Sequence, residues 1–198
     1  MRSKPLLIAC CCFFIFSTFS FAQSNINFGV KGGVNLSTLL DDYGGGSSFL
    51  NGPHVGGIAQ LDLSKGDEGF VQYALRGELY YSAQGAKDEF GKTNLSYINL
   101  PIMIQRYLFS SGFYLETGPQ FGFLLAAKSK DEEGSVNIKS QLKPIEVALN
   151  VGLGYQFNSG IGISTRVTSG LTSVSKESSV KNLTIGLGLV YLFGKNSD

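Results

Sequence analysis

Residues 183–193 have the sequence LTIGLGLVYLF, in which large apolar residues alternate with smaller ones. Every odd position of this segment is large and apolar, whereas Thr184, Gly186 and Gly188 are small. Because a β-strand directs alternate side chains to opposite faces, one face is apolar and the other is nearly empty. A tilted strand of about 9–11 residues is long enough to cross a bilayer. The segment therefore predicts a transmembrane β-strand.

The same alternation occurs in seven further segments, and no comparable stretch has the helical period. Their connections are alternately long and short, which is typical of outer-membrane barrels with short turns on the periplasmic side. The sequence thus predicts an all-β fold, an eight-stranded antiparallel up-and-down transmembrane β-barrel with short periplasmic turns and four longer extracellular loops. The predicted strands are 25–37, 53–63, 71–83, 95–108, 113–127, 145–157, 161–171 and 183–193.

The N-terminus has the features of a cleavable export signal. A short basic region precedes an apolar run, and Ser20 and Ala22 provide the small residues at positions −3 and −1 of a cleavage site. We therefore predict a signal peptide over residues 1–22, which is removed, and a barrel domain over residues 23–198. Export of this kind is consistent with location in the cell outer membrane.

Two alternatives to cleavage are an anchor helix and lipidation of Cys10. The apolar run is short for a membrane-spanning helix, and Cys10 lies too early because the run continues beyond it. All three cysteines occupy positions 10–12, so cleavage leaves no disulfide and no cysteine-bound metal. Sixteen basic and fifteen acidic residues nearly balance, which argues against nucleic acid as a partner.

The distribution of charge and glycine predicts that the polar face lies inside the barrel. A soluble barrel would place its apolar face inward, but here the apolar stripes carry almost no charge. Arg106 is the exception, and it lies near a short turn, where a lipid-facing Arg costs only about 0–1 kcal/mol. Side chains fill a narrow eight-stranded lumen, which favours small residues there. The strand glycines on the polar face are Gly29, Gly33, Gly56, Gly118, Gly122, Gly152, Gly154, Gly162, Gly170, Gly186 and Gly188.

Tyrosines near the strand ends are consistent with the aromatic girdles that meet lipid head groups. We therefore predict that outer-membrane lipid contacts the apolar face. The tyrosines assigned to these girdles are Tyr73, Tyr81, Tyr107, Tyr155 and Tyr191.

Several motifs resemble the small outer-membrane β-barrel domains of Gram-negative bacteria that are often named the porin family. FGVKGGVN at 28–35 resembles their first strand, and YINLP at 97–101 with GFYLETGP at 112–119 resembles their central hairpin. LVYLF near the C-terminus is similar to the aromatic signal bound by the barrel-assembly machinery, with Tyr191 and Phe193 as its aromatic residues. The resemblance implies the fold and this assembly partner, and the family label implies a channel for small solutes.

Seven charged side chains fall on the lumen-facing side of the predicted strands. Charges at membrane depth are costly unless they are paired, so they predict a salt-bridge network that closes the lumen. We expect Glu116 to lie low in the barrel, near the short turns, Glu78 at mid-depth and Glu146 high, near the long loops. Each cation could then find a carboxylate partner. The alternative is a proton or ion pathway, although eight strands leave no continuous channel. The cations are Lys31, Arg76 and Arg166, and the anions are Asp62, Glu78, Glu116 and Glu146.

His54, the only histidine, is the candidate base of an outer-membrane lipid-modifying enzyme. Such a base needs hydrogen-bond reach to a serine nucleophile, and no serine lies near His54 on its own strand. We therefore interpret His54 as a rim residue that is bonded to loop backbone. The sequence predicts no catalytic residue, cofactor site or metal site, because the acidic clusters at 41–42, 88–89 and 131–133 lack calcium-loop spacing.

These features favour a non-enzymatic protein with a structural or surface-interaction role through its extracellular loops, because loops carry binding specificity. The alternative is a small-solute porin, and a lipid-modifying enzyme comes third. The expected partners are outer-membrane lipid, the barrel-assembly machinery and an extracellular ligand of the loops.

Overall fold

The structure, a computed structural model, describes residues 26–41, 47–65, 71–88, 91–108, 112–131 and 134–193. The predicted signal peptide and the tail 194–198 lie outside the described residues. Eight long strands are present, because alternating apolar, β-branched and aromatic residues favour a pleated, half-buried surface. They are β1 (Ile26–Asp41), β2 (Ser48–Lys65), β3 (Val71–Lys87), β4 (Lys92–Tyr107), β5 (Phe113–Lys130), β7 (Ile145–Gln156), β8 (Ile161–Gly170) and β9 (Val180–Leu192), with a short β6 (Ser135–Asn137) and a 3-10 turn (Lys139–Gln141) between β5 and β7.

Each long strand pairs antiparallel with its neighbours, and the first and last strands close the sheet into a ring. The seam between β1 and β9 runs from Gly29 opposite Leu192 to Asp41 opposite Val180. β4 pairs with β5 and β5 with β7, whereas β6 pairs only with the end of β5. The predicted eight-stranded antiparallel barrel is confirmed.

The connections define two ends of the barrel. At the turn end, Phe157 N donates to Ile161 O at 2.8 Å, and Gly160 has a φ of 83°, a conformation that favours glycine. The turn end holds connections 66–70, 108–112 and 157–160, and the loop end holds 42–47, 88–91, 131–144 and 171–179.

Strand alternation gives the barrel an apolar outside and a polar inside. Val55, Leu79 and Leu189 point outward and are 57–61% exposed, whereas Arg76 and Gln105 point inward and are 0% exposed. This arrangement is the reverse of a soluble barrel and agrees with the predicted face assignment. Among the described residues, no helix is long and apolar enough to cross a bilayer.

Several strands extend further into the loop end than their alternation predicts. At these strand ends neither face remains uniformly apolar in sequence, so the alternation stops while the backbone ladder continues. Much of the sequence predicted as long loops is therefore paired strand. The extended ends are Asp41 of β1, Ser48 of β2, Lys87 of β3, Lys92 of β4 and Lys130 of β5.

Glycines at the seam allow a larger side chain to enter the lumen. Gly33 lies opposite both His54 and Gly188. A Cβ atom at Gly33 would lie 2.6 Å from the Cα of Gly188 and 2.8 Å from the ring of His54. The space left by the missing side chain is therefore occupied by the imidazole.

Tyr107 is not part of the outer aromatic girdle, so that prediction was wrong. Its ring packs against Tyr114 with 5.3 Å between centroids, and Gln60 Nε2 donates to its hydroxyl at 3.4 Å. Tyr107 shares the inward parity of Gln105. Arg106 between them points outward, with its guanidinium 5.5 Å from the centre of the Tyr73 ring.

Candidate functional site

Four charged side chains from four strands meet inside the lumen. Lys31 comes from β1, Glu78 from β3, Glu116 from β5 and Arg166 from β8. Each occupies an inward-facing position of its alternating strand, and none is more than 8% exposed. We name these four residues the paired layer.

Arg166 is bonded to both carboxylates of the paired layer. Its Nη1 and Nη2 donate to the two oxygens of Glu78 at 2.8 and 2.9 Å. Its Nε and Nη2 donate to Glu116 Oε1 at 2.9 and 2.7 Å. Lys31 Nζ donates to Glu78 Oε2 at 2.8 Å, and Gln105 Nε2 donates to Glu116 Oε2 at 2.8 Å. Every carboxylate oxygen of the layer therefore has a donor.

The paired layer is balanced in charge and joins opposite walls of the barrel. Its two cations face two carboxylates, and bidentate geometry with additional hydrogen bonds offsets much of the desolvation cost. Tyr80 continues the closure, since its ring centre lies 4.6 Å from Lys31 Nζ and its hydroxyl donates to Gln120 Oε1 at 2.9 Å. β3 and β8 lie across the ring from each other, so the bond between Glu78 and Arg166 crosses the lumen.

Arg76 is bonded in a different way. Its Nε and Nη2 donate to Gln60 Oε1 at 3.1 and 2.6 Å, and its Nη1 donates to the Tyr114 hydroxyl at 3.3 Å. Gln60 Nε2 donates onward to Asp62 Oδ1 at 2.9 Å, and Asn27 Nδ2 donates to Asp62 Oδ2 at 3.1 Å. Arg76 thus reaches a carboxylate through an amide. We name Arg76, Gln60, Asp62 and Asn27 the relay layer.

The expectation that every cation has a carboxylate partner fails at Arg76. Within the described part of the chain, salt bridges join only members of the paired layer. Asp62 has the amide partners of the relay layer, and Glu146 accepts a hydrogen bond from Asn182 Nδ2 at 3.5 Å. Three of the seven predicted charges, Arg76, Asp62 and Glu146, therefore lie outside ion pairs of the described residues.

The depth predicted for Glu116 was also wrong. Glu116 and Glu78 bind the same guanidinium of Arg166, so the two carboxylates lie at one level. Strand parity predicts which side chains face the lumen. The tilt and stagger of the strands determine which of them meet, and parity contains no information about either.

A small polar cavity borders the paired layer on the side of Asn35 and His54. It offers about 20 Å³ to the centres of water molecules, and a water needs about 10–15 Å³. The cavity therefore has room for one or two waters and is too small for an organic solute. Lys31 and Arg166 contribute to its wall.

His54 lies within the lumen, so its predicted rim position was wrong. Its Nδ1 is 2.8 Å from Asn35 Oδ1, and the ring is 5% exposed. Because β2 begins at Ser48, His54 is well inside the strand. Ser82 lies opposite His54 on β3, a neighbour that the sequence did not indicate, but Asn35 Nδ2 donates to Ser82 Oγ at 2.8 Å. The amide separates the serine from the imidazole, so they do not form a nucleophile and base pair.

One apolar cluster lies near each end of the polar lumen. Ile58, Val190 and Leu192 form one near the turn end. Val190 and Leu192 are large residues at positions where the last strand otherwise has small ones. This break in the pattern was the feature of the sequence that indicated the cluster. The cluster at the loop end was not predicted, because Leu95, Tyr97 and Leu124 are apolar residues on the inward parity of predicted strands, where polar and small residues were expected. It contains Leu95, Tyr97, Leu124 and Ala127, with Leu39, Ile138 and Leu142 packed against it.

Two long loops are joined at the loop end. Lys143 N donates to Val174 O at 2.9 Å, and Lys176 N donates to Gln141 O at 3.2 Å. Leu142 and Ser175 form a β-bridge between these bonds. Segments 138–144 and 171–179 therefore form one continuous surface, which we name the bridged loops.

The acidic clusters are described in part: Asp41 ends β1, and the described residues of the other two clusters accept hydrogen bonds within turns. Asp88 Oδ1 accepts from Gly91 N at 2.7 Å, and Asp131 Oδ1 accepts from Gly134 N at 2.9 Å. The remaining acidic residues of those two clusters lie outside the described residues. No group of three potential metal ligands occurs in the part of the chain that the structure describes.

The aromatic residues of the predicted assembly signal lie at the turn end. The rings of Tyr191 and Phe193 form an edge-to-face pair with 5.5 Å between centroids. Phe193 N donates to Phe28 O at 2.7 Å, which attaches the end of β9 to the start of β1. Both rings are exposed on the outside of the barrel.

Comparisons with known proteins agree with this architecture. The family model described as outer membrane protein beta-barrel domain matches residues 21–176, and no curated protein matches significantly. The fold resembles Ail, the attachment invasion locus protein of Yersinia pestis, with 16% identity and a TM-score of 0.50 over 86% of this chain and 100% of that one. It also resembles Neisserial surface protein A, with 12% identity and a TM-score of 0.60 over 83% and 96%.

Proposed function

Because the chain belongs to the outer membrane protein beta-barrel domain family, we propose that it is a non-enzymatic surface-interaction protein of the outer membrane. The observation that carries the proposal is the bridged loops, which offer a shaped surface at the loop end. In outer-membrane barrels the long loops face the cell exterior, and loops on a rigid scaffold commonly carry binding.

Preorganisation of the bridged loops supports this role. A loop that is ordered before binding loses less conformational entropy when it meets a partner. Lys176 Nζ donates to Ser140 O at 2.7 Å, and Ser173 Oγ donates to Ser178 O at 2.7 Å. Side chains thus reinforce the backbone bonds between and within the two segments.

The closed lumen supports a protein that does not conduct solutes. The paired layer crosses the barrel, and apolar clusters lie on both sides of it. Purified protein in planar lipid bilayers is therefore expected to show no steady conductance. Reproducible wild-type conductance would contradict this proposal and would favour the small-solute porin.

Loop replacement tests the surface interaction itself. Residues 171–179 are exchanged for a Gly-Ser segment of equal length, and residues 88–91 are exchanged in a control. Both proteins and the wild type are applied in nanodiscs to arrays of extracellular proteins and polysaccharides. We expect the first exchange alone to abolish binding while heat-modifiable migration on gels is kept. Equal binding by all three proteins would contradict the role of the bridged loops.

The proposed orientation has a separate test. Lys128, Lys130 and Lys139 lie at the loop end, whereas Lys65 ends β2 at the turn end. Trypsin added to intact cells is expected to cut in the first region and to spare Lys65. Cleavage at Lys65 in sealed cells would reverse the orientation.

Recognition by the barrel-assembly machinery is part of the same proposal. Replacement of Phe193 by a polar residue is expected to impair membrane insertion more than deletion of residues 196–198. Fractionation combined with heat-modifiability measures both effects. Equal effects would assign Tyr191 and Phe193 to ordinary packing at the strand end.

A further inference from the structure

The polar cavity beside the paired layer is lined by hydrogen-bond donors that the protein itself does not use. Lys31 Nζ donates to Glu78, and an ammonium group has three donors, so two remain without an acceptor among the described residues. Ser82 Oγ accepts from two side-chain amides, which leaves its own proton available. The Thr184 hydroxyl is buried without a partner in the described part of the chain. All three residues line the cavity, which therefore presents several free donors.

The charged residues of the cavity wall also favour an electron-rich guest. Lys31 and Arg166 belong to the described lining, and none of the described lining residues is acidic. Glu78 and Glu116 neutralise these two cations from positions that do not line the cavity, and their oxygens already have donors within the protein. A guest in the cavity therefore meets cations and donors without a competing carboxylate.

The imidazole of His54 is the part of the wall that can change its hydrogen-bonding role. Asn35 Nδ2 is directed at Ser82 Oγ and at the carbonyl oxygen of Ala83, so Asn35 Oδ1 faces His54 Nδ1 at 2.8 Å. These bonds assign the proton of the neutral ring to Nδ1 and make Nε2 an acceptor. Nε2 is buried and has no partner among the described residues. A water molecule suits this state, since it donates to Nε2 and accepts from the ammonium and hydroxyl groups.

A proton on Nε2 makes the imidazole a donor as well, because an imidazolium donates from both ring nitrogens. The added charge lies beside two cations that are already present, so an anion is needed to offset it. The proton and the anion then enter together without a change in net charge. The titratable groups near the ring, from the strands packed against β2, are Lys31 of β1, Glu78 and Tyr80 of β3 and Arg166 of β8.

Glycines of β9 leave the space for a guest next to the ring. A Cβ atom at Gly188 would lie 2.9 Å from His54 Nε2, and one at Gly186 would lie 3.2 Å from Asn35 Oδ1. The cavity offers about 20 Å³ to the centres of water molecules, which is room for one or two waters. A halide ion fits such a space, whereas sulfate and gluconate are too large.

We propose that this cavity takes up one small monovalent anion, of the size of chloride, together with a proton on His54 Nε2. Lys31, Ser82 and Thr184 donate to the anion, and the imidazolium donates to it from Nε2. While the imidazole is neutral, the cavity holds water and excludes anions. The site goes beyond the proposed surface interaction and does not depend on any ligand of the loops.

NMR of the imidazole nitrogens tests the site directly. Because His54 is the only histidine, an untagged barrel labelled with 15N-histidine reports on this residue alone. The protein is refolded into micelles in sodium chloride, sodium bromide or sodium gluconate and titrated with acid. Equal sodium concentrations keep the screening of charges equal. We expect His54 to take up its proton at a pH at least about one unit higher in chloride or bromide than in gluconate.

Three variants locate the anion. Thr184→Val keeps the volume but removes a free donor, so it is expected to weaken chloride binding about tenfold and to reduce the chloride-dependent shift to less than half. Gly186→Ala places a methyl group in the cavity and is expected to abolish the shift. Thr168→Val is the matched control. Thr168 also lines the cavity, but its hydroxyl donates to Asn150 Oδ1 at 2.6 Å, so the shift should be kept. Heat-modifiable migration verifies that each variant is folded.

The contrary results are distinct. Equal protonation of His54 in chloride and gluconate would overturn the proposal, since the cavity would then hold water in both states of the ring. A full chloride-dependent shift in Thr184→Val, or an equal loss in Thr168→Val, would overturn the assignment of the anion to this cavity. A full shift in Gly186→Ala would do the same. None of these results bears on the array test of the bridged loops.

Discussion

Arg166 and Arg76 lie in the same narrow lumen, yet their charges are stabilised in different ways. Arg166 contacts two carboxylates directly, whereas Arg76 donates to Gln60 and Tyr114. Gln60 in turn donates to Asp62. The paired layer therefore neutralises charge by ion contact, whereas Arg76 of the relay layer is stabilised by hydrogen bonds to the neutral amide of Gln60 and the hydroxyl of Tyr114.

The two layers differ in which buried groups lose their partner when one member is removed. Loss of a carboxylate from the paired layer leaves a buried cation without its counter-ion, which is strongly destabilising. Loss of the cation from the relay layer leaves neutral acceptors without a donor, which costs less. Removal of one charged partner therefore lowers the free energy of unfolding more in the paired layer than in the relay layer.

The largest expected effect follows from Glu78→Gln. This change removes the carboxylate shared by Lys31 and Arg166, so the free energy of unfolding should fall by about 3–5 kcal/mol. Urea unfolding of the barrel in lipid vesicles measures the change. Glu146→Gln is the matched control and should cost clearly less, because Glu146 has no ion pair among the described residues. Equal losses in both variants would contradict the conclusion that the ion pairs of the paired layer make removal of its carboxylate more destabilising.

Arg76→Met should give a smaller loss, about 1–3 kcal/mol. The substitution keeps much of the apolar stem but leaves Gln60 Oε1 without its donor. The same urea series compares it with Glu78→Gln. A loss as large as that of Glu78→Gln would mean that Arg76 acts as a counter-ion for a carboxylate, and the two layers would then be alike.

Asp62→Asn should change the free energy of unfolding by less than about 1 kcal/mol. The amide oxygen still accepts a hydrogen bond from Gln60, and a rotated Asn27 amide accepts one from the new NH2 group, so both bonds of Asp62 are kept as neutral ones. A neutral hydrogen bond contributes about 0.5–1.5 kcal/mol. Asp62 is also only half-buried. A loss above 2 kcal/mol would show that the negative charge itself stabilises Arg76 through the relay.

The smallest expected effect is that of salt on the paired layer. The difference in unfolding free energy between wild type and Glu78→Gln should be equal at 0.1 and 1 M NaCl, within about 0.5 kcal/mol. Salt screens exposed charges and has much less effect on buried pairs. A difference that shrinks at high salt would indicate that ions enter the lumen, which would contradict the closed barrel.

Alternation in the sequence was sufficient to predict the barrel, its strand number and its two faces. The prediction succeeded where one face meets lipid and the other meets the lumen, as in residues 145–156. It failed at Asp41, Ser48 and Lys87, because these strand ends pair through the backbone ladder although their sequence no longer alternates between apolar and polar residues. Strand limits at the loop end therefore depend on hydrogen bonds that side-chain pattern does not encode.

The candidate site was predictable in its members and much less so in its contacts. All four residues of the paired layer were among the predicted lumen charges. The partners of Arg76 and the position of His54 depend on the tilt of the strands and on the length of β2, which parity does not contain. The bridged loops were not predicted, since they arise from contacts between segments distant in sequence.

The seam between β1 and β9 has a consequence for the order of folding. Its partners, such as Gly29 and Leu192, lie at opposite ends of the chain, so the ring cannot close before the final strand is available. Contacts of such high sequence separation form slowly because loop closure must precede them. The same adjacency brings Ile26 and Phe193, the ends of the described barrel, together at the turn end. A circular permutant that joins them and opens the connection at 157–160 should therefore keep the barrel while it changes which seam closes last.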